Sequence, residues 1–169
     1  MNNNIKNIEK IINIRFNNKD LLLKSFVHKS YNKEKNNEKL EFLGDRVLGF
    51  KIAKKLLELY PNEKEGILDK KLASMVNKKK CHEVCKFLQL NKVIKTSTST
   101  KINNNIENKI ISDACEAIIG AIFLDQGIKT AEKVILFLWS TDLKNSIKTE
   151  IDAKTRLQEY SLKEFKILP

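Results

Sequence analysis

The sequence predicts an all-α protein, on three observations. Apolar residues recur at three- and four-residue steps along almost the whole chain. Five glycines and two prolines in 169 residues are too few for a turn-dense all-β fold. The proportions of hydrophobic (41%) and charged (31%) residues are those of a globular chain long enough to bury a real core.

The elements follow in order. Ile5, Ile8, Ile11 and Ile12 form a first stripe, and Leu21, Leu22, Phe26 and Val27 form a second after a capping region at Asn17–Asn18. From Glu38 to Tyr60 the residues Leu40, Leu43, Val47, Phe50, Leu57 and Tyr60 keep helical spacing until Pro61 stops them. The next helix is expected from Glu65 to Lys79 and a short one from Cys81 to Leu90. The polar run Thr96–Thr100 and Asn103–Asn105 reads as an exposed loop. Ile110 to Leu124 is apolar nearly all round, which marks a central buried helix ending near Gly127. Ile128 to Leu143 is expected as the last long helix of an all-α bundle.

The longest uncharged apolar run, Ala117 to Leu124, is far short of the roughly 20 residues that cross a bilayer. The N-terminus lacks the apolar core of a signal peptide, and three cysteines without a secreted spacing suit a reducing compartment, so a cytoplasmic setting without membrane contact is expected. The net charge of +11 favours a polyanionic partner, although 29 of the 32 basic residues are Lys and the abundance of Lys, Asn and Ile also reflects an AT-rich coding sequence. Cys81-His82-x-x-Cys85 lacks the paired spacing and fourth ligand of a zinc motif, and Cys81 and Cys85, one helical turn apart, read as small buried hydrophobes.

In so basic a chain the acids tied to buried helices stand out. Glu38, Glu41 and Asp45 fall within roughly 60° of one another on one helix face. Asp113 and Glu116 share a face of the apolar central helix. Solvated faces and pairing with lysines account for the Glu38 group as readily as a site does, but less readily for a carboxylate pair on a buried helix. Convergent carboxylates repel unless a cation neutralises them, and oxygen-only ligands select a hard divalent ion, Mg²⁺ or Mn²⁺. A basic protein holding such a pocket has the composition of a metal-dependent phosphodiesterase. Gly44 and Gly120 carry no side chain, so the two acid-bearing helices can approach closely there. Cys115 points away from Asp113 and reads as core packing.

Four blocks occur in one order: EKLEFLGDR (Glu38–Arg46), Glu65-Gly66 followed by ASMVN (Ala73–Asn77), SDACEAIIGAIFLDQG (Ser112–Gly127) and DAKTRLQEY (Asp152–Tyr160). The first resembles the nine-residue signature of the ribonuclease III family, and together the four resemble that family over most of the chain. The resemblance implies an all-helical endonuclease domain over residues 1–149 that works as a homodimer on double-stranded RNA. Residues 150–169 then resemble the start of a double-stranded-RNA-binding domain: its first helix, and a first strand beginning at Ile167. The metal ligands implied are Glu41, Asp45, Asp113 and Glu116, with Asp45 and Glu116 catalytic. Glu38 and Glu65 match acidic positions bordering the cleavage valley, with plain surface acidity as the alternative. Phe42 matches an aromatic inserted into the partner subunit, and Gln158 a residue that reaches minor-groove sugar hydroxyls. Arg46 is placed to contact RNA phosphate or to pair with a local carboxylate. The expected activity is metal-assisted hydrolysis of duplex RNA to 5′-phosphate and 3′-hydroxyl ends, in processing of rRNA and mRNA. The alternative is a non-catalytic RNA-binding or ribosome-associated module on the same fold.

Overall fold

Helical spacing in the sequence becomes helix in the structure, a computed structural model that describes residues 2–97, 104–146 and 153–166. Two compact units divide at Trp139/Ser140. The domain boundary expected at 149/150 lies outside the described residues.

In the first unit, α1 (Asn2–Ile11) buries Ile5 and Ile8 and leaves Ile11 half-buried. In α2 (Lys19–Ser25), the Asn18 side chain caps the helix by accepting the Asp20 N–H. The segment before it is held from far along the chain: Asp125 accepts the backbone N–H groups of Asn17 (2.9 Å) and Asn18 (2.7 Å), and Gln126 Nε2 donates to the Arg15 carbonyl at 2.6 Å. A single parallel bridge, Val27 with Lys95, is the β-structure among the described residues.

The long α3 (Glu38–Leu59) buries Leu40, Leu48, Ile52 and Leu56 against α6 (Asn104–Leu138). Every residue of α6 from Ile110 to Ile122 is buried, so this helix is the axis of the core, as its all-round apolar sequence predicts. Gly127 interrupts it with φ 78° and ψ 179°, a conformation that residues with a Cβ rarely adopt. Beyond the kink, Glu132 accepts from Lys51 (2.9 Å) and Lys54 (3.0 Å) of α3.

Several boundaries depart from the sequence expectation. The helix expected to run to Lys79 ends at Met75 as α4 (Glu65–Met75), and α5 (Lys78–Phe87) replaces the expected Cys81–Leu90 helix. One residue, Asn77, sets this break: its Oδ1 accepts the Lys80 N–H at 3.0 Å and caps α5, while its Nδ2 donates to the carbonyls of Ala73 (3.2 Å) and Ser74 (2.8 Å) at the end of α4. The helix expected to reach Leu143 stops at Leu138. The fully buried Trp139 forms a turn, its indole N–H donating to the Met75 carbonyl at 2.9 Å, and the helix-starting residues Ser140-Thr141-Asp142 follow. Asn104 and Asn105, expected in a loop, begin α6, whereas residues 98–103 lie outside the described set.

The second unit contains α7 (Ser140–Ser146) and α8 (Ala153–Phe165). In α8, Tyr160 and Phe165 meet edge to face with ring centroids 6.2 Å apart.

Candidate active site

The site is built where α3 and α6 come closest. A Cβ added to Gly120 would stand 2.2 Å from the Leu40 carbonyl oxygen, so only glycine admits this approach of backbone to backbone. It brings Glu41, at the start of α3, beside Asp113 and Glu116 of α6. One carboxylate oxygen from each of the three lies within 4.8 Å of the others. Asp113 is 5% and Glu116 3% exposed. The adjoining cavity, of about 650 Å³, is lined by Glu38, Glu41, Phe42, Asp45, Val76, Asn77, Lys78 and Glu116.

A lysine neutralises the cluster. Lys78 Nζ donates to Asp113 Oδ1 at 2.7 Å and to Glu116 Oε1 and Oε2 at 3.2 and 3.1 Å. Burial opposes the charge of Lys78, but the hydrogen bond to Asp113 and the negative charges of Glu116 and Asp113 outweigh it and raise the lysine above its ordinary range. Burial pushes the Glu116 carboxyl up to about 7 against the pull of Lys78, and the charges of Asp45 and Asp113 add to the rise. Glu41 is likewise raised, first by burial and then by Asp113.

Of the four ligands implied by the resemblance, the structure gathers three. Asp45 lines the same cavity one turn beyond Glu41, but its carboxylate pairs with Arg46. Arg46 thus pairs with a local carboxylate, one of its two expected partners, and its guanidinium also lies 5.6 Å from the centre of the Phe42 ring. Phe42 is 67% exposed at the cavity edge. Glu38 borders the cavity and pairs with Lys29 at 2.7 Å. Glu65 is exposed in the first turn of α4 and is not among the cavity-lining residues. Gln158 is half-buried on α8, in the second unit.

Two neighbours of the acids escaped the sequence reading. Lys78 is one of 29 lysines and carries no distinguishing signal beyond following the ASMVN block. Cys81, read as a small hydrophobe, is fully buried and its thiol also reaches Glu116 Oε1 at 3.8 Å. Its hydrogen bond with Cys115, its burial and the charge of Glu116 raise its pKa and keep it protonated. Cys85 donates to the Ile111 carbonyl at 2.8 Å, and Cys115 is buried, so all three thiols pack in the core as expected.

The residues present fit a hard divalent cation. Three buried or half-buried carboxylates supply oxygen donors alone, and a cationic ammonium already stands among them. A second cavity, of about 420 Å³, shares Lys78 and is lined by Lys79, His82, Glu83, Lys86, Asn108 and Lys109. A basic groove thus adjoins the acidic one, a charge pattern that suits an anionic phosphodiester backbone beside a cation site.

Known proteins share this arrangement of sequence and fold. The ribonuclease-III-like family model matches residues 18–142. Ribonuclease 3 of Pelagibacter ubique (strain HTCC1062) is 54% identical over 169 residues, 100% of this chain and 76% of that protein. Ribonuclease 3 of Clostridium perfringens (strain 13 / Type A) is 40% identical, with coverage of 92% and 69%. The nuclease domain of ribonuclease III from Campylobacter jejuni, described for structural flexibility in a region involved in dimer formation, superposes with a TM-score of 0.77 at 37% identity, covering 82% of this chain and 97% of that one. Dicer from Pichia stipitis, at 22% identity and a TM-score of 0.66, has a similar fold. Signature, helical architecture and overall similarity agree: the chain belongs to the ribonuclease-III-like family.

Proposed function

We propose that the protein is an endoribonuclease that hydrolyses double-stranded RNA to 5′-phosphate and 3′-hydroxyl ends, with Mg²⁺ as its cation and Mn²⁺ as a substitute. The observation that carries this reading is the convergence of Glu41, Asp113 and Glu116 on two helices locked together by glycine. Rigid elements hold such donors better than loops do.

In this reading Glu41, Asp113 and Glu116 would hold the cation, with Asp45, which lines the same cavity, as the fourth donor. The cation supplies activation of water and stabilisation of charge developing on the phosphate. Glu116, whose carboxyl burial pushes up to about 7 in the metal-free site, would release its proton on holding the cation. The lysines of the neighbouring groove bind the RNA backbone, and Glu38 and Glu65 lie toward the edges of the valley. Phe42, an exposed aromatic beside the acids, anchors a second copy of the chain, so that two sites face one duplex. Residues 150–169 begin a double-stranded-RNA-binding domain in which Gln158 reads sugar hydroxyls. The setting is the cytoplasm, where rRNA and mRNA precursors are processed. No helix among the described residues is long and apolar enough to cross a membrane.

A non-catalytic binding module on this fold gains nothing from negative charge concentrated where phosphates approach. The test is incubation of a labelled RNA duplex with the protein in Mg²⁺, in chelator, and beside a DNA duplex of the same sequence. Cleavage of RNA alone, abolished by chelator, is expected; cleavage that persists in chelator, or binding without cleavage in Mg²⁺, contradicts the reading.

A further inference from the structure

The counter-ion of the acidic cluster belongs to the chain itself. Lys78 is the first residue of α5, and Asn77 fixes its backbone by capping α5 and closing α4 with one side chain. The ammonium, by contrast, sits at the end of a flexible four-carbon stem and is a compact, strongly hydrated charge. Its side chain is 52% exposed, although its partners Asp113 and Glu116 are 7% and 4% exposed. It also belongs to the walls of both cavities, the acidic one beside Glu41 and the basic one with Lys79, His82 and Lys86. One end of this side chain therefore has two environments within reach, without backbone movement.

The oxygens that Lys78 engages, Asp113 Oδ1 and both Oε atoms of Glu116, are those a divalent ion would need. An ammonium donating to them and a cation coordinated by them exclude one another. We propose that Lys78 is an exchangeable counter-ion: its ammonium neutralises Asp113 and Glu116 in the metal-free protein, and a divalent cation displaces it into the basic groove. The proposal rests on the reading of the acids as a metal site. It has two consequences. The apparent metal affinity is the intrinsic affinity reduced by the cost of expelling the lysine. Loading also adds a positive charge to the groove that faces RNA, which couples metal binding to substrate binding.

The experiment uses the full chain, without RNA, and Mn²⁺ as probe. Mn²⁺ binding is measured by electron paramagnetic resonance for the wild type, Lys78→Met and Glu116→Gln, and melting temperatures are taken in chelator and in saturating Mn²⁺. Lys78→Met is expected to bind Mn²⁺ about tenfold more tightly, the scale of one lost charge-assisted contact. It should melt lower than the wild type in chelator and lose that deficit in Mn²⁺. Equal or weaker affinity of Lys78→Met overturns the proposal while leaving the metal site standing, provided the wild type binds Mn²⁺ and Glu116→Gln does not. Absence of Mn²⁺ binding to the wild type overturns both. A second measurement needs no variant: acylation of Lys78 by an N-hydroxysuccinimide ester, followed by mass spectrometry, should accelerate several-fold when Mg²⁺ is added to the wild type. An unchanged or slower rate overturns the exchange.

Discussion

Gly44 lies so close to Glu116 that a Cβ on the glycine would stand 1.7 Å from the Glu116 carbonyl oxygen. The contact is backbone against backbone, so no side chain can give way. The residue that sets the spacing of the two helices therefore touches the main chain of a proposed catalytic residue.

Gly44→Ala should accordingly force α3 and α6 apart. A loss of about 3 kcal/mol or more is expected, at or above the upper end of ordinary overpacking, together with loss of metal binding. Gly49→Ala is the control: nothing lies within 4 Å of its added Cβ, and helix propensity alone should stabilise it by about 0.5–1 kcal/mol. Urea denaturation of both variants checks the contrast, and equal effects would sink the close-approach argument.

Glu116→Gln keeps the shape of the side chain and removes its charge. Duplex cleavage in Mg²⁺ should fall by about a hundredfold or more, with the circular dichroism spectrum unchanged, because a hard cation is held by carboxylate charge. Near-normal turnover at saturating Mg²⁺ would remove Glu116 from the site.

The pH dependence of the metal-free protein has a defined sign. Glu116 titrates near 7 in the fold and near the ordinary carboxylate value when unfolded, so the folded chain binds the proton more tightly. Its contribution to stability is fully present below the unfolded value and is lost as pH rises through the folded one. In chelator, the melting temperature of the wild type relative to Glu116→Gln should therefore decline from about pH 4.5 to 7. A difference that is flat or rises over that window would show that Lys78, rather than burial, governs this carboxyl.

Phe42→Ala tests assembly. If the ring enters a partner, sedimentation should show the dimer weakened by about 2–4 kcal/mol, with monomer stability nearly unchanged because the ring is already exposed in one chain. A wild type that is monomeric at micromolar concentration contradicts the dimer.

Much of this arrangement was legible in the sequence because its causes are local. The period of α3, the all-round apolar surface of Ile110–Leu124 and the special backbone at Gly127 follow from side-chain type and order. The acids were legible because charge on a buried helix is costly. The missed boundaries have two causes, one a local side-chain cap that the apolar period does not report and one tertiary. Asn77 ends one helix and starts the next by hydrogen bonds in both directions, and Trp139 breaks a continuous apolar pattern because its indole is drawn to the Met75 carbonyl. Lys78 was invisible for a different reason: its role comes from what stands opposite it, 35 and 38 residues away.

The clasp of Asp125 and Gln126 on residues 15–18 bears on the order in which the protein is made. Its partners are separated by 107 to 111 residues, and the packing face of α3 likewise awaits α6. A growing chain emerges N-terminus first, so α1 to α5 are exposed before the element that seals them exists. Glu41 is synthesised 72 residues ahead of Asp113 and has no fellow ligand on α6 until then. The acidic centre thus cannot form before α6 is made, and a growing chain that has not reached Glu116 lacks the proposed site.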